Sequence, residues 1–265
     1  MTAELVLARL EDRIATLILN RPEKRNALNP EMLKALTTAL TDLRNDPEVR
    51  CVVLRGTGEN AFSAGFDIGR IGQDAPQPGG NFGESQDRYR SVKEAINLFP
   101  YPVIAMIYGY CVGGGLELAV ACDMRVAADN ARLGITPAKL GIVYGYEPIR
   151  AFVQLVGPAF ARELFYTGRL VDAQRACAMG LVNCVVPTRE LETYTYALAE
   201  EIAANAPRSV RAAKTMVNRI LSEKPITLEE DAIFAKMRDT AADSEDLREG
   251  RQAFLEKRKP HFTGR

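Results

Sequence analysis

The sequence predicts an α/β fold, and three observations carry that prediction. Short apolar runs such as "CVVLRG" (51–56) and "PVIAMIYG" (102–109) recur between helix-length segments. Turns rich in glycine lead from strand to helix, and from Glu190 onward the chain reads as helices only. Strand–turn–helix units through about 200 residues, closed by a helical tail, belong to the α/β class. The chain has 265 residues, 47% of them hydrophobic, which is ample for a full core.

The elements follow in order. "ELVLARL" (4–10) and "IATLILN" (14–20) alternate around "EDR" and suggest an opening β-hairpin. Asn29-Pro30-Glu31 starts a helix, with an Asn cap, Pro at the first helical position and an early acid. Its apolar face repeats at Leu33, Leu36, Leu40 and Leu43. "CVVLRG" is a buried strand, followed by the turn-rich "TGENAFSAGFDI" (57–68). "GQDAPQPGGNFGE" (72–84) is a Gly/Pro-rich loop expected to be mobile. Residues 85–99 look helical, and "PVIAMIYG" is a second buried strand that runs into Gly113, Gly114, Gly115 and a helix. "MRVAAD" (124–129) and "LVNCVVP" (181–187) are further strands, with a helix from about Pro148 to Tyr166 between them. Helices are expected over 190–204, 208–222, 227–242 and 245–258.

Composition excludes several function classes. Lys plus Arg and Asp plus Glu both number 34, so the net charge is zero and the basic surplus of a nucleic-acid binder is missing. No apolar run reaches the ~18 residues of a membrane span, and the charged N-terminal stretch does not read as a signal peptide. The five cysteines, at 51, 111, 122, 177 and 184, have no metal spacing and sit in apolar company. They read as reduced core thiols of a cytoplasmic protein. The single histidine, His261, lies near the C-terminus, which argues against Ser-His-Asp, Cys-His and His-metal chemistry, and no metal site is expected.

One stretch departs from ordinary helix composition. "YGYCVGGGLELAVACD" (108–123) puts three glycines before a helix and a glutamate among apolar residues in its first turn. A strand entering such a turn leaves N–H groups unpaired at the helix N-terminus, where they face an anion. Without side chains a ligand approaches the backbone closely. "FSAGFDI" (62–68) repeats the arrangement around Gly65. Two such turns meeting across a cleft would form an oxyanion hole, although tight turns that merely pack helix on sheet fit the same pattern. Glu117 reads either as a first-turn acid facing the helix dipole or as a buried carboxyl suited to proton transfer.

These segments resemble the enoyl-CoA hydratase/isomerase (crotonase) superfamily from end to end. The resemblance rests on "RPEKRNALN" (21–29), "AFSAGFDI" (61–68), "PVIAMIYGYCVGGGLELAVACD" (102–123), "ELFYTGRLVDAQRACAMGLVNCVVP" (163–187) and "SEDLREGRQAFLEKRKPHF" (244–262). It implies a crotonase-like spiral of ββα units over 1–205, holding an acyl-CoA site. It also implies a C-terminal helical trimerisation region over 206–265, and assembly as a trimer or a dimer of trimers. Coenzyme A is then the carrier part of the substrate, and no separate cofactor is expected. By motif position the oxyanion N–H groups fall on Phe66 and Gly114. CoA contacts fall on Lys24, Arg25, Ala27, Ala64, Asp67 and Ile68, and on Phe254 and Lys257 in the tail that reaches a neighbouring subunit.

The resemblance also bears on the reaction. Hydratases of this kind use a second glutamate twenty residues after the position of Glu117, and here Pro137 stands there. "TPAKLGIVY" (136–144) and the tail are similar to methylmalonyl-CoA decarboxylase-type members, whose tyrosine corresponds to Tyr144. Phe66 departs from them, since they carry histidine there. Decarboxylation of a malonyl-type acyl-CoA, with Tyr144 near the acyl group, is therefore the favoured expectation. The alternatives are 2-enoyl-CoA hydration, or double-bond isomerisation by Glu117 with help from Glu147.

Overall fold

The computed structural model describes residues 4–67, 82–139, 144–222 and 244–256, with residues 227, 229, 232, 233, 236, 258 and 260–265. Its centre is a six-stranded sheet of order β1-β2-β3-β5-β7-β10. These strands are β1 (Val6–Glu11), β2 (Ile14–Leu19), β3 (Cys51–Gly56), β5 (Val103–Ile107), β7 (Met124–Ala128) and β10 (Cys184–Val186). β1 and β2 are the expected hairpin, turning through Asp12 and Arg13, both in left-handed conformation as a two-residue hairpin turn requires. All other neighbours in this sheet are parallel.

Parallel strands covered on both faces read as continuous apolar runs, which is why "CVVLRG" and "PVIAMIYG" show no alternation. Val52, Leu54, Val103, Ala105 and Ile107 point into the larger core. Cys51, Val53, Ile104 and Met106 point to the other face, under Leu191, Ala199 and Ala203 of α6 (Leu191–Ala204). The larger core is closed by α1 (Pro30–Arg44), capped as expected by the Asn29 side chain accepting from the Met32 N–H at 2.8 Å. α2 (Phe82–Leu98) and α3 (Gly114–Ala121) also pack on it.

A second, four-stranded sheet was not expected from periodicity. It runs β4-β6-β8-β9, from β4 (Ala61–Ser63), β6 (Tyr110–Val112), β8 (Arg132–Gly134) and β9 (Val171–Asp172). Strands of two or three residues are too short to display a period. The expected helix at 148–166 is α4 (Tyr146–Thr167), bent at Gly157 and Pro158. The short α5 (Ala173–Ala178), α7 (Pro207–Leu221) and α8 (Glu245–Glu256) complete the described helices. Of the loop expected at 72–84, residues 72–81 lie outside the described residues, and 82–84 open α2 instead. Most of the helix expected at 227–242 also lies outside them. All five cysteines are unpaired, and among the described residues no His/Cys/Asp/Glu cluster could hold a metal ion. No helix among them is long and apolar enough to cross a membrane.

Candidate active site

The two glycine turns meet. β4 ends at Ser63, and Gly65 then turns the chain with φ +94°. A side chain at Gly65 would stand 2.8 Å from the Val112 carbonyl and 3.2 Å from the Gly114 nitrogen. Across this contact, β6 ends at Val112 and Gly113, at φ +55°, caps α3. Gly113 donates to the Gly134 carbonyl at 2.9 Å. Gly114 is the first residue of α3, so its N–H has no acceptor within the helix. A methyl group on Gly114 would stand 2.7 Å from the Phe66 ring, and one on Gly115 would stand 2.5 Å from the Ser63 carbonyl. The glycine at 115 is therefore required for the two turns to touch, whereas at 114 a methyl group would displace the Phe66 ring.

Phe66 is oriented by a bridge to Leu28. Leu28 donates to the Gly65 carbonyl at 2.8 Å and accepts from Asp67 N–H at 2.9 Å. In a parallel bridge of this kind the intervening residue, Phe66, turns its own N–H to the opposite side. Phe66 and Gly114 thus stand on the two turns that meet here, with the Phe66 ring over Gly114.

Glu117 stands in the first turn of α3 and is only 8% exposed. Among the described residues its side chain makes no hydrogen bond. Burial pushes its carboxyl up from 4.5 to about 7, and Lys93 opposes that shift. Aromatic rings line the same region. Phe66 meets Tyr89 edge to face at 5.9 Å, and Tyr144 meets Phe165 at 5.5 Å. Phe152 also meets Phe165 edge to face at 5.4 Å. Burial, and after it the field of Glu117, holds the Tyr144 hydroxyl well above the ordinary tyrosine value. Glu147 is elsewhere in character. It lies exposed in the first turn of α4, where Arg150 donates to it at 2.8 Å, and it is not among the charges that act on Glu117.

The segment beside the expected CoA site is pinned from within. Asn26, buried at φ +55°, donates to the Ala61 carbonyl at 2.8 Å and to Thr57 at 3.2 Å. Lys24 and Arg25 are left exposed, and Ala27 is buried. The Ala64 N–H donates to the Arg25 carbonyl at 3.0 Å, which joins the two segments assigned to CoA. Arg25 also lies over the Tyr110 ring at 5.4 Å. Asp67 pairs with Arg21 at 3.0 Å. Ile68, Lys257 and the Phe254 side chain lie outside the described residues. Pro137 opens a 3₁₀ turn after β8, so the position twenty residues beyond Glu117 offers no acid.

Two glycine turns in contact, with a glutamate one turn into the helix that the second turn opens, fall within a pattern known along almost the whole chain. The family profile for enoyl-CoA hydratase/isomerase matches residues 9–265. The chain belongs to the enoyl-CoA hydratase/isomerase family. It is similar to a putative enoyl-CoA hydratase of Thermus thermophilus, 40% identical over 94% of this chain and 97% of that one. A crotonyl-CoA hydratase of Syntrophomonas wolfei is 34% identical over the full length of both. The methylmalonyl-CoA decarboxylase of Escherichia coli is 35% identical over 96% of this chain and 95% of its own. Among solved structures, an enoyl-CoA hydratase/carnitine racemase from Magnetospirillum magneticum superposes with a TM-score of 0.91, at 34% identity, over 100% of this chain and 97% of that one.

As a member of this family the protein is an acyl-CoA enzyme with the crotonase fold. The relatives do not favour the decarboxylase expectation, because names for hydration prevail among them. That expectation leaned on Pro137, on the segment that runs to Tyr144 and on the C-terminal tail.

Sequence reasoning missed Tyr89. It sits on α2 at the spacing of Val92 and Ile96, all three buried, and the sequence therefore presents it as one more core position.

Proposed function

We propose that this enzyme hydrates a 2-enoyl-CoA, with Glu117 as its single acid–base carboxyl. The observation that supports it most is Glu117, only 8% exposed beside the two glycine turns, without a side-chain hydrogen bond among the described residues and with its carboxyl raised to about 7. The Phe66 and Gly114 N–H groups receive the thioester oxygen as negative charge develops on it. In its neutral form Glu117 delivers its proton to C2 from one oxygen. Its other oxygen takes a proton from the water whose oxygen bonds to C3. The carboxyl ends neutral, and one water has been added across the double bond. A pKa near 7 keeps the neutral form populated at physiological pH, where an ordinary glutamate would be ionised. This route needs no acid at position 137 and no contribution from Glu147.

Decarboxylation is the second reading, favoured by Pro137 and by the half-buried Tyr144 within the field of Glu117. There the oxyanion pair would stabilise the enolate left by CO₂, and Tyr144 would face the acyl group. Purified enzyme given crotonyl-CoA, methylmalonyl-CoA and 3-hexenoyl-CoA, with products followed by mass spectrometry, separates the readings. Hydration of crotonyl-CoA without CO₂ release from methylmalonyl-CoA is expected, and the reverse outcome overturns the proposal.

The reading includes CoA held by Lys24, Arg25, Ala27, Ala64, Asp67 and Ile68. It also includes self-association that brings Phe254 and Lys257 to a neighbouring site. Val217, Ile220 and Leu221 on α7 are 53%, 71% and 46% exposed, an apolar stripe that a second copy would cover. A trimer or hexamer by sedimentation is expected, and a monomer at micromolar concentration refutes the assembly.

A further inference from the structure

The Tyr89 hydroxyl is fully buried and has no hydrogen-bond partner among the described residues. The residue as a whole is 6% exposed. A tyrosine kept only for packing gains nothing over phenylalanine at such a place, because a buried hydroxyl without a partner loses its hydration and regains nothing. Its surroundings are those of the active site. Its ring meets Phe66 edge to face, and the Phe66 ring in turn covers Gly114. The ionisable groups that act on it most strongly are Glu117, then Tyr144. Of the other described rings near Glu117, Phe66 has no polar atom to offer a ligand, and Tyr144 is the one other hydroxyl.

We propose that Tyr89 is a specificity-determining residue whose hydroxyl binds an oxygen atom carried on C3 of the acyl chain. This rests on the acyl-CoA site described above and adds a hydroxyl on the Phe66 side of it. A thioester with its oxygen at Phe66 and Gly114 has C2 one bond beyond its carbonyl carbon and C3 two bonds beyond. Glu117 serves C2 and the incoming water, and Tyr89 donates to the oxygen at C3. In hydration that oxygen is first the attacking water and afterwards the hydroxyl of the 3-hydroxyacyl product. Tyr89 then takes over the water-holding part of the acid replaced by Pro137. It moves no proton itself and acts as a positioning residue for the reaction.

The test is binding rather than turnover, so that it stands apart from the hydration assay. In a Glu117→Gln background, which removes the acid–base group, the affinities of 3-hydroxybutyryl-CoA and butyryl-CoA are measured by calorimetry. The two ligands differ by one oxygen at C3. A neutral hydrogen bond corresponds to a preference of about 3–10-fold for the hydroxylated ligand. Adding Tyr89→Phe is expected to bring the ratio to about one, with butyryl-CoA affinity and melting temperature unchanged or slightly raised. A ratio that Tyr89→Phe leaves intact, or no preference at the outset, overturns the proposal. So does a parallel loss of both affinities with a lower melting temperature, which would assign Tyr89 to structure. If the ratio behaves as expected while the wild-type enzyme fails to hydrate crotonyl-CoA, the C3-oxygen site stands and the hydration reading falls.

Discussion

Helix α3 has a carboxyl at or near each end, Glu117 buried and Asp123 half-buried, and the protein treats the two in opposite ways. Just past its C-terminal end, the Asp123 side chain accepts from the Val103 N–H at 2.7 Å and from the Lys214 ammonium at 2.8 Å. Lys214 spends its other donors on the carbonyls of Ile96 and Tyr101. Arg125, two residues on, donates to the carbonyls of Cys122 and Leu181. Every charge there has a protein partner, which is what burial of a charge demands. At the N-terminal end Glu117 is 8% exposed and, among the described residues, its side chain makes no hydrogen bond and feels only the opposing field of Lys93. Its carboxyl responds by shifting toward neutrality. Burial with partners holds the fold together, whereas burial without them leaves a group free to exchange protons.

If that contrast is right, the two ends separate activity from stability. Glu117→Gln is expected to lower kcat on the enzyme's own acyl-CoA by ~10²–10⁴-fold, the usual worth of a positioned acid or base. Its circular dichroism should match wild type. Turnover within a few-fold of wild type would remove Glu117 from the chemistry. Lys214→Met is the mirror experiment. It leaves Asp123 with the Val103 N–H, the Ile96 carbonyl with the Phe99 N–H and the Tyr101 carbonyl without its Lys214 donor, at a cost of about 3–5 kcal/mol in unfolding free energy. The protein that remains folded should keep its kcat, and a selective loss of kcat would break the comparison.

Gly114→Pro probes the N-terminal end of α3 without touching a charge. Proline is tolerated at a first helical position but has no N–H. Loss of one oxyanion donor costs ~10²–10³-fold in kcat. Steady-state kinetics should show that loss while CoA still binds. Because a substituent at Gly114 also meets the Phe66 ring, Gly114→Ala serves as the steric control. If the alanine variant is impaired as deeply as the proline variant, the N–H assignment fails.

Much of this was legible in the sequence. Asn29 and Pro30 announced α1, the unbroken apolar runs announced β3 and β5, and Gly113 to Gly115 announced the turn that opens α3. Segments of two or three residues, such as β6, β8 and β9, escaped because their pairing is set by distant chain and not by local period. The partnered end of α3 was equally hidden. Lys214 lies 91 residues from Asp123, and on α7 it reads as a solvated lysine. Tyr89 failed for the converse reason. It obeys the helical period of its neighbours, and only the three-dimensional surroundings of its hydroxyl distinguish it. The decarboxylase expectation drew on a family pattern at Pro137 and Tyr144, and the relatives do not support that weight.

The smallest expected effect isolates the titration itself. Glu117 has a folded-state pKa of about 7 against an ordinary 4.5, so the folded protein binds its proton more tightly than the unfolded chain does. Stability from that proton is fully present below about pH 4.5 and is lost as pH rises toward and through 7. Each pKa unit is worth about 1.4 kcal/mol, so the loss amounts to about 3 kcal/mol. Glutamine carries no such proton. Denaturant unfolding of wild type and Glu117→Gln, compared across pH, should therefore give curves that diverge between about pH 4.5 and 7 and run parallel above. Taking the difference cancels the exposed carboxylates whose pKa values are lowered, Asp129, Glu249 and Glu256, since both proteins share them. A difference that stays constant with pH would mean that Glu117 finds a partner after all, and the two ends of α3 would then be alike.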